Sequence, residues 1–225
     1  GWLRLGGTWY WLEPGAGGAM ATGLRGCYGS MYWFGPSGAM ATGWVLDGGT
    51  WYYATGSGAL ARGPVSFGGV PYCFDAETGA MLTGYQTDAQ GVRRYFGNYG
   101  PVNGWGLVDG AWYWFVDGVA STGWLRLGGT WYWLEPGAGG AMATGLRECG
   151  GSTYWFAPSG AMATGWVLDG GTWYYATGSG ALASGWLYAG GAWYWLDPET
   201  YAMATGVQQI SGVQYTFASN GVWLG

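Results

Sequence analysis

The chain has no histidine and no lysine, and its seven basic residues are all arginine. Without histidine it cannot carry a Ser–His–Asp triad or a His-based zinc site. Charged residues make up 8% of the chain, with a net charge of −5. A nucleic-acid binder needs a basic footprint to neutralise phosphates, and none exists here. Three cysteines cannot all pair within one chain. Cys27 and Cys149 hold the same place in duplicated repeats, Cys73 holds another, and free thiols are expected. No spacing suggests a metal site and nothing implies a cofactor. No apolar run is long enough to span a membrane, and no signal peptide is visible, so the expectation is a fragment of a longer secreted protein. The fifty glycines show no Gly-X-Y triplet, and aromatics at 20% argue against disorder. The glycines therefore mark turns between ordered strands. A mildly acidic, aromatic-rich surface suits cations or neutral sugars.

What is present is one motif written about eleven times. It runs Gly-Trp, six residues, Trp-Tyr-Trp or Trp-Tyr-Tyr, a turn, then Gly-Ala-Met-Ala-Thr. Such periodicity sets the architecture before any local reading. The repeats are 1–22, 23–42, 43–62, 63–83, 84–103, 104–122, 123–144, 145–164, 165–184, 185–205 and 206–225, expected to form a single repeat domain over 1–225. A longer repeat lies above these. Residues 1–62 match 123–184 except at Gly26/Glu148, Tyr28/Gly150, Met31/Thr153, Gly35/Ala157 and Arg62/Ser184. This points to duplication of a three-repeat block and to equivalent sites in both halves.

Each repeat reads as a β-hairpin. Gly6-Gly7, Asp47-Gly48-Gly49, Asp109-Gly110 and Asp169-Gly170-Gly171 are turn signals between β-prone runs. Alternation puts Trp9 and Trp11 on one face of the return strand and Tyr10 on the other. A lone hairpin is marginal in water, so the units must stack. The fold class is all-β, a β-hairpin solenoid of about eleven 20-residue repeats held by nearest-neighbour contacts. Repeats 63–83 and 84–103 are degenerate: Pro64 replaces Trp, Cys73 replaces an aromatic, and Asp88-Ala89-Gln90-Gly91 is inserted. They read as a joint between better-formed arrays. Repeat 206–225 reads as a cap.

The pattern GW-x6-WYW/WYY…GAMATGW resembles the cell-wall-binding, or choline-binding, repeats of Gram-positive surface proteins and autolysins, over nearly the whole chain. Related repeats occur in glucan-binding and toxin receptor-binding regions, which favour YYF. The resemblance implies a hairpin superhelix with choline held between successive hairpins. Two Trp of one repeat and an aromatic of the next form the cage, often with a Met nearby. On that implication the Trp pairs are Trp2/Trp9, Trp44/Trp51, Trp105/Trp112, Trp124/Trp131, Trp166/Trp173 and Trp186/Trp193. Trp33, Trp133, Trp155 and Trp195 would complete four cages. Cys73 and Thr216 stand at the matching place in the other two, which need Tyr72 and Tyr215 as substitutes. Met20 and Met142 are candidate walls, with Met40, Met162 and Met203 beside them. Repeats with Leu24/Met31 and Leu146/Thr153 should open no cage of their own.

The same aromatics could serve only as core, since each buries a large area. Repeats 23–42 and 145–164, however, form the motif without a Trp pair, so the pair is not a structural requirement. The acids sit mostly at turns; Asp197 and Glu199 are the one arrangement resembling a catalytic pair. The expected function is therefore non-catalytic: a binding module on the bacterial cell surface, with choline-bearing teichoic acid or a surface polysaccharide as partner. The alternatives are glucan or host-glycan binding, and a structural stalk.

Overall fold

The computed structural model describes residues 1–225. It is all-β, with twenty-six short strands and two single 3-10 turns, Pro14–Ala16 and Pro136–Ala138. The residues form two compact units, Gly1–Gly106 with Phe115–Ala120 and Leu107–Trp114 with Ser121–Gly225. The division passes through repeat 104–122.

In the first unit, Trp2–Leu5 pairs antiparallel with Thr8–Glu13: Trp2 opposite Trp11, Leu3 opposite Tyr10, Arg4 opposite Trp9. Gly6 and Gly7 turn at φ 59° and 87°. Two left-handed residues in a two-residue loop match the twist of the flanking strands. The same hairpin follows at Gly23–Cys27 with Ser30–Phe34, Gly43–Asp47 with Thr50–Ala54, and Gly63–Phe67 with Val70–Phe74. The second unit repeats it at Gly123–Leu127 with Thr130–Glu135, Gly145–Cys149 with Ser152–Phe156, Gly165–Asp169 with Thr172–Ala176, Gly185–Ala189 with Ala192–Leu196, and Gly206–Ile210 with Val213–Phe217. In repeat 84–103 the inserted turn is organised by Asp88, 4% exposed. Its carboxylate accepts from the Gln90 and Val92 amides and from Arg94. The Arg94 bond, opposed by burial, holds its carboxyl below the usual range.

The short tail after a hairpin, Ala-Met-Ala in its commonest form, ties that hairpin to its predecessor. The amide of Met40 donates to the Trp9 carbonyl at 2.8 Å, and the next amide, Ala41, donates back to Trp33 at 2.9 Å. An extended tail points successive amides in opposite directions, so one residue bonds the previous hairpin and the next bonds its own. The pattern recurs with Met81 to Trp51, Met162 to Trp131, Met203 to Trp173 and Trp223 to Trp193, at 2.7–2.9 Å.

Stacking gives each hairpin a forward and a backward face. Leu24, Met31 and Trp33 of one hairpin pack against Val45, Tyr52, Ala54 and Leu60 of the next. The backward face also carries the deepest residues. Phe34, Ala54 and Phe74 in the first unit, and Phe156, Ala176, Leu196 and Phe217 in the second, are 0–3% exposed. Methionines add a second contact between repeats. A side chain on Gly38, Gly58, Gly160, Gly180 or Gly221 would overlap the thioether of Met20, Met40, Met142, Met162 or Met203, respectively. These glycines also have φ between 75° and 87°, where L side chains are strained.

All three cysteines are buried and unpaired. Burial is the main reason their thiols titrate high, with Cys149 raised to about 11. The native state therefore favours the protonated thiol. That contribution to stability is complete below about pH 9, where the unfolded thiol titrates, and is lost as pH rises through about 11. Alkylation at pH 8 should be slow in the native protein and fast in denaturant; equal rates would contradict the burial. Phe156→Ala removes a fully buried ring and should lower stability by about 3–5 kcal/mol in thermal or urea unfolding.

Candidate ligand cages

The forward face of a Trp-pair hairpin carries both members of the pair, because residue 2 and residue 9 of the motif lie on the same side of the ladder. Trp2 and Trp9 have ring centroids 6.2 Å apart and planes at 84°. The other pairs described within one unit repeat this corner: Trp44/Trp51 at 6.1 Å and 90°, Trp124/Trp131 at 6.0 Å and 85°, Trp166/Trp173 at 6.3 Å and 87°, and Trp186/Trp193 at 6.3 Å and 85°. The second Trp is well exposed in four of these pairs, for example Trp9 at 40% and Trp193 at 43%, and half-buried at Trp51. Trp105 lies in the first unit and is half-buried, and Trp112, 45% exposed, lies in the second.

The third wall is a tyrosine of the next hairpin, one residue before the expected tryptophan. Tyr32 stands 4.8 Å from Trp2 at 72°. Tyr72 stands by Trp44, Tyr154 by Trp124, Tyr194 by Trp166 and Tyr215 by Trp186, at 4.7–5.0 Å. Trp33, Trp133, Trp155 and Trp195 point the other way. Trp33 packs forward against the Tyr52 cluster. Trp133 and Trp195 pack edge-to-face against the first Trp of their own hairpins, Trp124 and Trp186, at 5.2 and 5.4 Å, and Trp155 pairs across its own hairpin with Leu146. The reason is alternation: neighbours on a strand face opposite sides, and only the backward face meets the preceding pair. That alternation is legible in the triplet itself and identifies the tyrosine. It also removes the difficulty at Cys73 and Thr216, since Tyr72 and Tyr215 occupy the wall position.

Methionine enters by the same rule. Clefts are lined by Trp2, Trp9, Tyr32, Met40 and Ser57, and by Trp166, Trp173, Tyr194, Met203 and Asn220. The Met of one repeat thus walls the pair of the preceding repeat. Met20 and Met142, expected as walls, lie over Gly38 and Gly160, as Met40 and Met203 lie over Gly58 and Gly221, and the two clefts just named are lined by Met40 and Met203. Two cages vary the pattern. Asn98 and Tyr99 close the cleft around Trp44, Trp51 and Tyr72. Trp223 takes the methionine position beside Trp186, Trp193 and Tyr215. Sequence reasoning missed Tyr99 and Trp223 because both lie where the motif degenerates. Where the pair is Leu24/Met31, Tyr52 seals the gap and is only 8% exposed.

Each cage offers π faces and neutral polar groups, with no carboxylate among the named lining residues. Asp197 is a turn residue: its Oδ1 accepts from the Glu199 and Thr200 amides and the Thr200 hydroxyl. The Thr200 amide is the main cause holding its carboxyl below the usual range. It does not pair with Glu199 as a catalytic acid and base would.

Two family descriptions match this chain. The choline-binding repeat matches residues 21–64 and 143–185, and the cell wall binding repeat matches 1–15, 122–137 and 184–199. The chain belongs to the family of choline-binding, cell-wall-binding repeats. Among solved structures it is similar to CbpJ from Streptococcus pneumoniae, at 28% identity and TM-score 0.75 over 99% of this chain and 94% of that one. It is also similar to choline binding protein F from Streptococcus pneumoniae, at 25% identity and TM-score 0.77 over 99% and 92%. The modular autolysin LytC of Streptococcus pneumoniae shares the fold at 23% identity and TM-score 0.60, over 100% of this chain and 48% of that one. No curated protein sequence matches it.

The two aromatics of one triplet can be separated experimentally. Tyr194→Ala removes a wall from the Trp166/Trp173 cage and should weaken ligand there by about 5- to 30-fold, with little change in melting. Trp195→Ala should do the reverse at that cage, lowering thermal stability and leaving its affinity near wild type. Calorimetric titration paired with thermal melting reads both.

Proposed function

We propose that the chain is a non-catalytic module that holds a secreted protein on the bacterial envelope by gripping choline groups of a teichoic acid-like polymer. Residues 1–225 act in this reading as a single repeat domain. The observation that carries it is the corner formed by the Trp pair and closed by the following Tyr, repeated in both units. A quaternary ammonium donates no hydrogen bonds and is weakly hydrated, so it is recognised by π faces and by exclusion of water. Three walls at about 0.5–2 kcal/mol each give roughly millimolar affinity per cage. Several cages on one polymer then supply avidity.

The corner geometry also bears on the glycan alternative. Sugars stack on flat aromatic platforms and need hydrogen-bond partners for their hydroxyls. Here the Trp rings stand at 84–90° to each other, and the polar lining is a single Ser or Asn. That arrangement fits a compact methylated cation better than a ring face. CbpJ and choline binding protein F, of similar size, provide precedent for such repeats making up most of a protein.

Choline titration followed by Trp fluorescence should saturate at millimolar concentration, and the protein should be retained on a quaternary-amine resin and eluted by choline. Trp131→Ala should weaken polymer binding without unfolding the rest. Binding to a neutral glucan with no choline response would move the assignment to carbohydrate. Binding to neither, nor to whole cell walls, would leave the stalk.

A further inference from the structure

The cages share their inner walls but differ at one rim position, the residue directly across the hairpin from the second Trp. That residue is Arg4 opposite Trp9 and Arg126 opposite Trp131. It is Leu46 opposite Trp51, Leu168 opposite Trp173 and Tyr188 opposite Trp193. By strand alternation it lies on the cage face beside the Trp. The Arg4 guanidinium carbon sits 5.6 Å from the Trp9 ring centroid, and that of Arg126 sits 5.5 Å from Trp131. Both arginines are exposed. Neither belongs to an ion pair; the three ion pairs use Arg25 with Glu13, Arg94 with Asp88 and Arg147 with Glu135.

Two cages of an acidic protein therefore carry an uncompensated guanidinium on the rim of a site shaped for a cation. A bare ammonium entering such a cage meets a like charge, which opposes binding. The opposition reverses if the ligand brings an anion of its own. A guanidinium stacked on an indole is weakly hydrated and keeps its planar fork of donors free at the edge, the geometry that accepts phosphate oxygens in pairs. We propose that Arg4 and Arg126 make the Trp2/Trp9 and Trp124/Trp131 cages selective for phosphocholine, with the ammonium between the rings and the phosphate on the guanidinium. The cages rimmed by Leu46, Leu168 and Tyr188 take the ammonium alone. The inference rests on the choline reading above and adds a second recognised group to it. Arg4 and Arg126 are equivalent positions of the duplicated block, so both copies carry the same specificity.

The test compares choline chloride with phosphocholine on the full chain, followed by Trp fluorescence. In the wild-type protein the tighter class of sites should prefer phosphocholine by about fivefold, and raised salt should shrink that preference. In Arg4→Leu/Arg126→Leu, which installs the residue native to the equivalent positions 46 and 168, the preference should fall to about one. The reciprocal Leu46→Arg/Leu168→Arg should extend it to further sites, and it decides the matter if the first variant melts abnormally. Vesicles of phosphatidylcholine, set against a choline-bearing wall polymer, distinguish a lipid from a polymer as the source; Arg-dependent binding to either supports the inference. An unchanged phosphocholine-to-choline ratio in both variants, with choline still binding, would overturn it and leave the choline reading intact. No response to either ligand would overturn both.

Discussion

One backbone hydrogen bond sets the spacing on which everything else depends. The amide at the middle position of a tail donates to the carbonyl of the second pair residue in the preceding hairpin, as Met40 does to Trp9, Leu60 to Met31 and Met203 to Trp173. It fixes how far each hairpin advances beyond the last. With that advance fixed, the tyrosine of the following hairpin arrives 4.7–5.0 Å from the first Trp, close enough to wall a cage. It also suits a short tail with small residues beside one long side chain. Ala-Met-Ala lets the chain lie flat between two hairpins, and its single long side chain is the flexible Met that fills the remaining gap.

The fold was legible almost entirely. Gly-Gly and Asp-Gly turns, the period-2 aromatic triplet and the near-20-residue spacing each demand hairpins, and a thin hairpin must stack. The Trp pairs were legible too, because residues seven apart across a two-residue turn fall on one face. What was not read is which neighbour sees which face. Trp33 and Trp195 are the bulkier members of their triplets and were natural choices for a cage wall. Yet the direction in which the hairpins stack hands that role to Tyr32 and Tyr194. The alternation that turns the tyrosine toward the preceding pair was present in the triplet; the tail hydrogen bond fixes how closely it approaches. Tyr99 and Trp223 were invisible for a different reason: they arise where the motif has drifted, so no repeat alignment points to them.

The third aromatic of each triplet has its own role. Trp11 and Trp133 donate their indole N–H to Glu13 and Glu135 two residues on, at 3.2 and 3.0 Å. Those carboxylates in turn pair with Arg25 and Arg147 of the next hairpin. Four of the chain's few charged residues thus link consecutive repeats, and no carboxylate is among the named lining residues of the cages. Trp33 and Trp155 sit in repeats lacking that Glu, and their buried indole N–H groups find no acceptor. An unsatisfied donor costs stability, about 1–3 kcal/mol, so these two repeats are held more by their apolar contacts than by polar links.

The walls of a cage come from three successive repeats: Trp2 and Trp9 from the first, Tyr32 and Met40 from the second, Ser57 from the third. All five residues fall within 1–62, the segment duplicated at 123–184. The copied length carries the whole of this cage. Duplicating one repeat transmits only fragments, whose completion depends on whatever lies beside them. Duplicating three transmits the complete set of walls. The duplicated block thus spans every repeat that contributes to this cleft, whereas a single hairpin contributes only part of one.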